Sequence, residues 1–306
     1  MHNKVVIIGC GNVGMSYAYA LLNQKTKVDE LILIDLDEEK IKGEASDLNH
    51  GMPFAPSKMI IRAGNYNDCN DATIICLAAG KNQNIGETRF DLINKNDEVF
   101  KSIISKINET NFNGIYLIAT NPVDAMTYIT MKHSAFDKNR VIGSGTTLDT
   151  ARLRYALGER LKVNSKNVHA YVLGEHGDSE FTPWSSSFVG NMPITDFISC
   201  DELDKISADV KSAAYEIIKQ KGSTHYGIGM CLVRITNAIL GDENTILTVS
   251  SYDEKNDIYV GMPSIVNKEG IKKTLSFKLN EEENKRYLNS INVLKTQIKS
   301  REEKHV

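Results

Sequence analysis

The first half of the chain alternates short, largely apolar runs with longer segments that have a helical pattern. The apolar runs occupy residues 4–9, 30–35, 59–64, 72–80, 114–120 and 140–145. Strands that are apolar on both faces and are separated by helices are typical of a parallel sheet covered by helices on both sides. The pattern therefore predicts that residues 1–145 form a doubly wound α/β domain.

The second half of the chain has a different pattern. Residues 201–222 and 225–241 have the periodicity of helices, and the run NVHAYVLG is typical of a strand. Three further runs between residues 245 and 279, separated by the turn signals DEKND and NKEG, predict an antiparallel meander. Asn280 then begins an amphipathic helix. Residues 146–306 are thus predicted to form an α+β substrate domain, and the helix at about 226–241 is expected to pack back on the first domain.

Composition and charge narrow the class of protein. The chain has 306 residues, of which 41% are hydrophobic, and a net charge of −3 without a basic block, so nucleic acid is not an expected partner. No apolar run approaches the roughly 20 residues of a membrane span, and no signal peptide is predicted before the first strand. The five cysteines are scattered and odd in number, which favours reduced thiols in a cytoplasmic protein and predicts no metal site.

The first apolar run ends in a glycine motif. The sequence GCGNVG has the G-x-G-x-x-G spacing and stands between a predicted strand and a predicted helix. Glycines there permit a tight turn and let a pyrophosphate approach the main chain, while the helix N-terminus supplies N–H groups and partial positive charge. The alternative is that the glycines serve only helix–sheet packing. The motif predicts a Rossmann-type nucleotide site whose loop contacts are Gly9, Gly11, Asn12, Val13 and Gly14.

An acidic residue at the end of the second apolar run completes the nucleotide motif. Asp35 lies about 20 residues after Gly14, where an acceptor for a ribose hydroxyl is expected. The sequence that begins at Asp35, DLDEEK, is mostly acidic and contains no arginine. Because it would repel the 2′-phosphate of NADP, the predicted cofactor is NAD.

A second group of residues could carry acid–base chemistry. The stretch GEHGDSE places His176 between glycines and acidic residues. An imidazole titrates near neutral pH, so His176 could transfer a proton, although a polar surface loop is the simpler interpretation. Asp149 and Arg152 are three residues apart on a predicted helix over 144–161, so they share a face as a catalytic pair or as a surface ion pair. Arg154 points elsewhere on the same helix.

Three more polar residues stand where ligands commonly bind. Arg89 lies near the end of a polar loop that contains a glycine, and Thr224 stands at the entry to a predicted helix. Asn121 follows a strand, at the sheet edge where ligands gather in doubly wound folds. Taken alone, Arg89 could be a solvated side chain and Thr224 a plain helix cap.

Together, these motifs resemble the NAD-dependent L-lactate/malate dehydrogenase family, and within it the bacterial L-lactate dehydrogenases. The resemblance runs through VVIIGCGNVG, AAGKNQNIGETR, ATNPVD, SGTTLDTARLR, GEHGDSE and KGSTHYGIGM. It implies hydride transfer between NADH and pyruvate, giving (S)-lactate and NAD. It also implies that His176 donates a proton, that Asp149 orients it, and that Arg89 polarises the carbonyl. The implied substrate contacts are Arg152, Gln83, Asn121 and Thr224, and Asn121 is also implied to contact the cofactor.

Within the family, one position distinguishes two substrates. Malate dehydrogenases carry an arginine six residues before the loop arginine, where it pairs with a second carboxylate, whereas this chain has Gln83. The neutral amide implies pyruvate as the substrate, with malate dehydrogenase as the nearest alternative. Lys81, which we expect to face solvent, and Ile85 depart from the family pattern. A nucleotide-binding regulator without turnover is a third hypothesis, which the filled catalytic positions argue against.

The resemblance also bears on regulation and assembly. In bacterial lactate dehydrogenases an arginine and a histidine bind fructose 1,6-bisphosphate between subunits, and Arg154 and His169 match these positions. The alternative is a polar contact at a subunit interface. Tetramers are usual for lactate dehydrogenases, so the resemblance implies a cytoplasmic homotetramer that works in fermentative glycolysis.

Overall fold

The computed structural model describes residues 2–81 and 89–302, and its first half consists of parallel strands that alternate with helices. The strands are β1 (Lys4–Ile8), β2 (Glu30–Ile34), β3 (Ile60–Ala63), β4 (Ile74–Leu77), β5 (Ile115–Ile118) and β6 (Val141–Gly143). The helices are α1 (Asn12–Asn23), α2 (Glu38–Gly51), α3 (Arg89–Asn108) and α4 (Val123–Ser134). The strand order β6-β5-β4-β1-β2-β3 confirms the predicted doubly wound α/β fold.

The second half combines helices with antiparallel strands. The helices are α5 (Thr147–Leu161), α6 (Cys200–Lys221), α7 (Tyr226–Leu240) and α8 (Glu281–Glu302). A small sheet contains β7 (Val168–His169), β8 (Phe188–Val189) and β9 (Met192–Pro193), and the predicted meander contains β10 (Thr245–Asp253), β11 (Ile258–Asn267) and β12 (Gly270–Thr274). Within the described ranges, no helix is both long enough and apolar enough to cross a membrane.

The meander does not form a sheet of its own. Strand β10 pairs with β6 at Ser250 and Gly143, so the meander extends the parallel sheet to nine strands. The approach is close because Gly143 has no side chain: a Cβ there would lie 2.5 Å from Oγ of Ser250. The two halves of the chain therefore share one sheet, a link that the hydrophobic pattern did not indicate.

The strand predicted for NVHAYVLG is shorter than expected. Only Val168 and His169 pair with β8, whereas Leu173 pairs with Phe181 and Gly174 pairs with a residue of β11. Gly174 has a φ of +98°, a conformation that glycine adopts without strain. The chain therefore leaves the small sheet before the His176 segment and attaches to the large one.

Helix α7 packs along α1 in the first half of the fold. Gly229 faces the main chain of Ser16, and a Cβ on Gly229 would lie 2.8 Å from it. The hydroxyl oxygens of Tyr17 and Thr236 are 2.5 Å apart, and both residues are fully buried. Small residues and one buried hydrogen bond therefore hold the two helices together.

Candidate active site

The glycine motif forms the turn between β1 and α1, and its glycines have different roles. Gly9 and Gly14 are packed: a Cβ on Gly9 would lie 2.2 Å from the backbone nitrogen of Ala79, and one on Gly14 would lie 2.0 Å from the carbonyl oxygen of Gly9. A Cβ on Gly11 would meet nothing within 4 Å. Gly11 is the exposed N-cap of α1, and no side chain caps the first N–H groups of the helix. This cradle fits a pyrophosphate.

Asp35 follows β2 and holds the glycine loop. Its Oδ2 accepts a hydrogen bond from the backbone N–H of Cys10 at 2.6 Å, and its Oδ1 accepts one from that of Leu36 at 2.7 Å. Lys40 donates to the carbonyl oxygen of Cys10 at 3.1 Å. Oδ1 of Asp35 also accepts a longer bond of 3.5 Å from the backbone N–H of Asp37. The carboxylate is only partly buried, and Oδ2 has a second lone pair for a ribose hydroxyl. The support that Asp35 gives to the loop was not predicted from the sequence.

A hydrogen-bonded chain joins α5 to the segment that contains His176. Asp149, in the first turn of α5, accepts a bond from Nη1 of Arg152 at 2.9 Å, and its other oxygen lies 2.6 Å from Nδ1 of His176. The side chain of Asp149 is 4% exposed, those of Arg152 and His176 15% and 24%. Because a carboxylate only accepts, Nδ1 carries a proton. The pair is therefore part of a three-residue unit centred on a buried acid and not the surface ion pair of the alternative interpretation.

The protonation states of this unit follow from its charges. Burial disfavours the charged imidazole of His176, but the charge and hydrogen bond of Asp149, with smaller contributions from Glu180 and Asp124, raise its pKa to about 9. Burial also disfavours the charged carboxylate of Asp149, yet His176 and Arg152 hold its pKa below the ordinary value. At neutral pH an imidazolium therefore stands beside a carboxylate.

A second carboxyl group faces the pair. Ligand atoms of Asp149, His176 and Glu180 all lie within 4.8 Å of one another, and Glu180 is 6% exposed. Burial and the charge of Asp149 raise the pKa of Glu180 to about 8, so this carboxyl is mostly neutral at pH 7. Such groups can bind metal ions, but Asp149 and His176 already bond to each other here. The expected absence of a metal stays a prediction.

Comparison with known proteins accounts for this combination of nucleotide cradle and acid–base unit. The model of the lactate/malate dehydrogenase NAD binding domain matches residues 3–143, and that of the lactate/malate dehydrogenase alpha/beta C-terminal domain matches residues 146–305. The chain belongs to the lactate/malate dehydrogenase family. It is thus an NAD-dependent oxidoreductase that acts on 2-hydroxy acids.

Individual members of the lactate/malate dehydrogenase family match along nearly the whole chain. L-lactate dehydrogenase 2 of Bacillus cereus is 49% identical over 303 residues, which are 96% of each chain. A lactate dehydrogenase from a Medee basin deep-sea metagenome library has a TM-score of 0.96 at 49% identity, covering 99% of this chain and 100% of its own. The ligands-bound minor L-lactate dehydrogenase of Enterococcus mundtii has a TM-score of 0.94 at 41% identity, covering 98% of each chain. The resemblance inferred from the motifs is confirmed.

The loop before α3 contains several of the residues that the family resemblance selected. Gln83 and Ile85 lie outside the described residues, and so does the side chain of Arg89, the first residue of α3. Lys81 is exposed, as expected. Its backbone N–H donates to Oδ1 of Asn96 at 2.8 Å. The described residues therefore show how Lys81, before the loop, is attached to Asn96, and that α3 begins at Arg89.

Asn121 and Thr224 stand at the ends of other elements. Asn121 is exposed, and its carbonyl oxygen accepts a bond at 3.0 Å from the side chain of Asn96, which is fully buried. Asn96 was missed in the sequence because its two partners lie far from it along the chain. Thr224 is partly buried and precedes His225, the N-cap of α7, so Thr224 is not the cap that the alternative assumed.

Arg154 and His169 lie away from the acid–base unit. Nε of Arg154 donates to the carbonyl oxygen of Ala170 at 2.9 Å, and its guanidinium lies 4.7 Å from the ring centroid of Tyr171. His169 is exposed on β7, next to Ala170. Arg154 thus points in a different direction from Arg152, as the helical spacing indicated.

Two buried groups near His176 were not among the predicted site residues. Asp124 accepts a bond from the backbone N–H of His176 at 2.8 Å, and Ser290 accepts one from the backbone N–H of Glu175 at 2.6 Å. Asp124 stands within the ATNPVD motif, which gave a signal for it. Ser290 gave none, because it is one of several serines and its partner is far away in sequence.

Substituting Asp35 with alanine is expected to weaken NAD binding and to relax discrimination against NADP. The ribose loses an acceptor, the glycine loop loses its bond to Cys10, and Lys40 remains to attract a 2′-phosphate. The measurement is the specificity constant with each cofactor. If the variant rejects NADP as strongly as the parent does, cofactor selectivity resides elsewhere. Asp209→Ala, which removes an exposed carboxylate on α6, is the control.

Proposed function

We propose that the chain is an L-lactate dehydrogenase that reduces pyruvate to (S)-lactate with NADH and catalyses the reverse reaction with NAD. The observation that carries this proposal is that Arg152 and His176 are both hydrogen-bonded to the carboxylate of Asp149. This arrangement places a proton donor and a carboxylate-binding cation side by side on one buried acid. The L-lactate dehydrogenases that match along the whole chain support the same assignment.

His176 is assigned as the proton donor. With Nδ1 bonded to Asp149, Nε2 is the ring nitrogen left to protonate the carbonyl oxygen of pyruvate. When bound, NADH supplies the hydride that the carbonyl carbon accepts. One hydride and one proton convert the carbonyl to a hydroxyl, and lactate oxidation returns the proton to Nε2. Because Asp149 favours the imidazolium, the donor is loaded at neutral pH.

Arg152 is assigned to the substrate carboxylate. Nη1 is bonded to Asp149, and the other guanidinium N–H groups can form the paired bonds that hold a carboxylate in one orientation. Asp149 therefore fixes the positions of donor and substrate together. Arg89 is assigned to polarise the carbonyl as negative charge develops on its oxygen, and Asn121 and Thr224 to contact the substrate.

The nucleotide is assigned to the glycine loop. The pyrophosphate would approach Gly11 and the first-turn N–H groups of Asn12 and Val13, where a side chain would meet open space. Asp35 would accept bonds from the ribose hydroxyls. Gly9 and Gly14 are closely packed against neighbouring main chain, and their contacts with the cofactor stay a prediction.

Pyruvate is the substrate that the loop chemistry favours. Gln83 offers a neutral amide to the variable end of the substrate, which suits the methyl group of pyruvate and supplies no positive charge for the second carboxylate of oxaloacetate. Malate dehydrogenase remains the alternative, but the relatives described above are lactate dehydrogenases.

Turnover of pyruvate and oxaloacetate with NADH tests the function directly. The variant Gln83→Arg tests whether residue 83 determines substrate specificity. The parent is expected to prefer pyruvate. A new charge-assisted pair contributes roughly 1.5–3 kcal/mol, so the variant is expected to shift the ratio of specificity constants about ten- to a hundredfold toward oxaloacetate. Gln83→Glu is the control of opposite charge. A parent enzyme that prefers oxaloacetate overturns the proposal. If Gln83→Arg does not change the ratio of the two specificity constants, Gln83 does not determine the choice of substrate.

We further propose a cytoplasmic homotetramer in fermentative glycolysis that fructose 1,6-bisphosphate activates. All five cysteines are unpaired thiols, which suits a reducing compartment. Large side chains on α1, α5 and α7 are exposed, as at surfaces that other subunits cover: Tyr19, Tyr155, Tyr226 and Met230.

The regulatory part of the proposal concerns Arg154 and His169. Paired subunits would bring these cations together, and a bound phosphate would offset their repulsion. A ligand that binds only the active arrangement shifts the population toward it.

Pyruvate saturation curves with and without fructose 1,6-bisphosphate test the regulation. The sugar phosphate is expected to lower the half-saturating pyruvate concentration at acidic pH and to do so less at alkaline pH, where imidazoles are uncharged. His169→Ala should lose the effect. Parent curves that coincide at both pH values contradict the regulatory proposal and leave the catalytic one intact.

A further inference from the structure

Three consecutive residues before and at the proton donor are held through their main chain. Gly174 exchanges two backbone hydrogen bonds with Gly261 of β11, each 2.9 Å long. The N–H of Glu175 donates to Oγ of Ser290 on α8 at 2.6 Å, and the N–H of His176 donates to Oδ2 of Asp124 on α4 at 2.8 Å. A strand and two helices from distant parts of the chain therefore fix the path of this segment.

Asp124 is a buried carboxylate that points away from its own helix. It lies in the first turn of α4, where an acid ordinarily faces solvent and the helix N–H groups, yet it is only 2% exposed. Its second oxygen accepts a bond from the hydroxyl of Ser250 on β10 at 2.6 Å. Burial raises the pKa of Asp124 to about 6 against these bonds. The donors from Ser250 and His176 compensate the buried charge at neutral pH.

Ser290 occupies the space that Gly174 leaves empty. A Cβ on Gly174 would lie 2.5 Å from Oγ of Ser290, so the serine contacts the main chain directly. Ser290 is fully buried, and the same helix contributes Gln297, which donates to the carboxylate of Glu175 at 2.8 Å. Helix α8 thus bonds both the main chain and the side chain of the residue that precedes the donor.

We infer that Asp124 and Ser290 are positioning residues of the reduction, which fix the main chain of the His176 segment so that its imidazole meets Asp149. Neither residue needs to touch the substrate or the nucleotide in this role. The inference rests on the proposed function, because it assumes that His176 is the proton donor. A loosened main chain would lengthen the 2.6 Å contact between Nδ1 and Asp149 and would misdirect Nε2.

The charges around His176 allow the role to be measured by pH. The acids that face the imidazole are Asp124 on α4, Asp149 on α5 and Glu180 in its own segment, while Arg152 lies beyond Asp149. Ser290 is uncharged, so removing its hydroxyl changes none of these charges. A changed titration of His176 after Ser290→Ala must therefore come from altered geometry.

The experiment measures single-turnover oxidation of bound NADH by pyruvate between pH 5 and 10, in the parent and in Ser290→Ala and Asp124→Asn. Both variants are expected to be roughly five- to fiftyfold slower, and the pH at which the rate halves should fall toward neutrality. NADH affinity should stay within about twofold of the parent, because the glycine loop is untouched. Ser264→Ala is the matched control, since this serine on β11 is also fully buried and bonds the carbonyl oxygen of Met262 at 3.1 Å.

The outcomes separate this inference from the proposed function. A purely structural role for Ser290 would lower the thermal midpoint as Ser264→Ala does, without moving the rate or the pH midpoint, and would overturn the inference. If Asp124→Asn does not fold, Ser250→Ala removes the other donor to Asp124 and should slow the reaction in the same direction by a smaller factor. Full activity of His176→Asn would refute the donor assignment itself. If His176→Asn is inactive while Ser290→Ala keeps the parent rate and pH midpoint, the positioning role is refuted and the assignment of His176 as proton donor stands.

Discussion

Asparagine in place of His176 is expected to slow pyruvate reduction by at least about 10²-fold, the low end of what general acid catalysis contributes. The amide can still donate a hydrogen bond to the carbonyl oxygen, but it cannot release a proton near neutral pH. The substitution also removes a cation beside Asp149, which keeps only its bond to Arg152. Substrate binding through Arg152 should therefore survive better than the chemical step.

The measurement for His176→Asn is the single-turnover rate at saturating pyruvate, together with the dissociation constant for NADH. NADH binding should change little, because the hydrogen bonds of His176 are to Asp149 on α5 and Asp124 on α4 and not to the glycine loop. His50→Asn makes the same chemical change at an exposed position on α2 and should leave the rate unchanged. A turnover number equal to that of the parent would end the assignment of His176 as proton donor.

The parallel half of the fold followed from the sequence because its signals are local. Each strand is mostly apolar, and each is bounded by turn or helix patterns, so element type and order could be inferred along the chain. The junction of β10 with β6 could not be read in this way. It depends on the fit of Ser250 against Gly143, two residues that no periodicity connects. The early end of β7 could not be predicted for the same reason, because the path of the chain at Gly174 depends on partners on β11 and α8, which are distant in sequence.

The candidate site divides along the same line. The spacing of Asp149 and Arg152 placed them on one helical face, and the family motifs selected His176, so the bonded unit could be expected. The protonation state of Glu180 could not, because its pKa depends on burial beside Asp149. Asp124 stood inside a recognised motif, but its role became visible only through its bond to the main chain of His176.

Replacing Asp149 with asparagine is expected to have the second-largest effect. Asp149 accepts one bond at each oxygen, from His176 and from Arg152, whereas asparagine has a single acceptor oxygen for these two donors. One of the two cations therefore loses its partner. Since a hydrogen bond to a charged group contributes roughly 1.5–3 kcal/mol, the specificity constant for pyruvate should fall about ten- to a hundredfold at pH 7.

The pH profile gives Asp149→Asn a signature that a general loss of stability would not produce. Burial works against the imidazolium of His176, and the charge and hydrogen bond of Asp149 are the main reason that its pKa is raised to about 9. A raised pKa keeps the donor protonated, so parent activity in pyruvate reduction should persist through neutral pH and decline as the pH rises through about 9. Without the carboxylate, burial dominates, the pKa of His176 falls, and the decline should begin at lower pH. Glu180→Gln should shift the midpoint less, because burial already keeps that carboxyl mostly neutral below pH 8. If Asp149→Asn retains the parent midpoint, the charge that holds the proton on His176 does not come from Asp149.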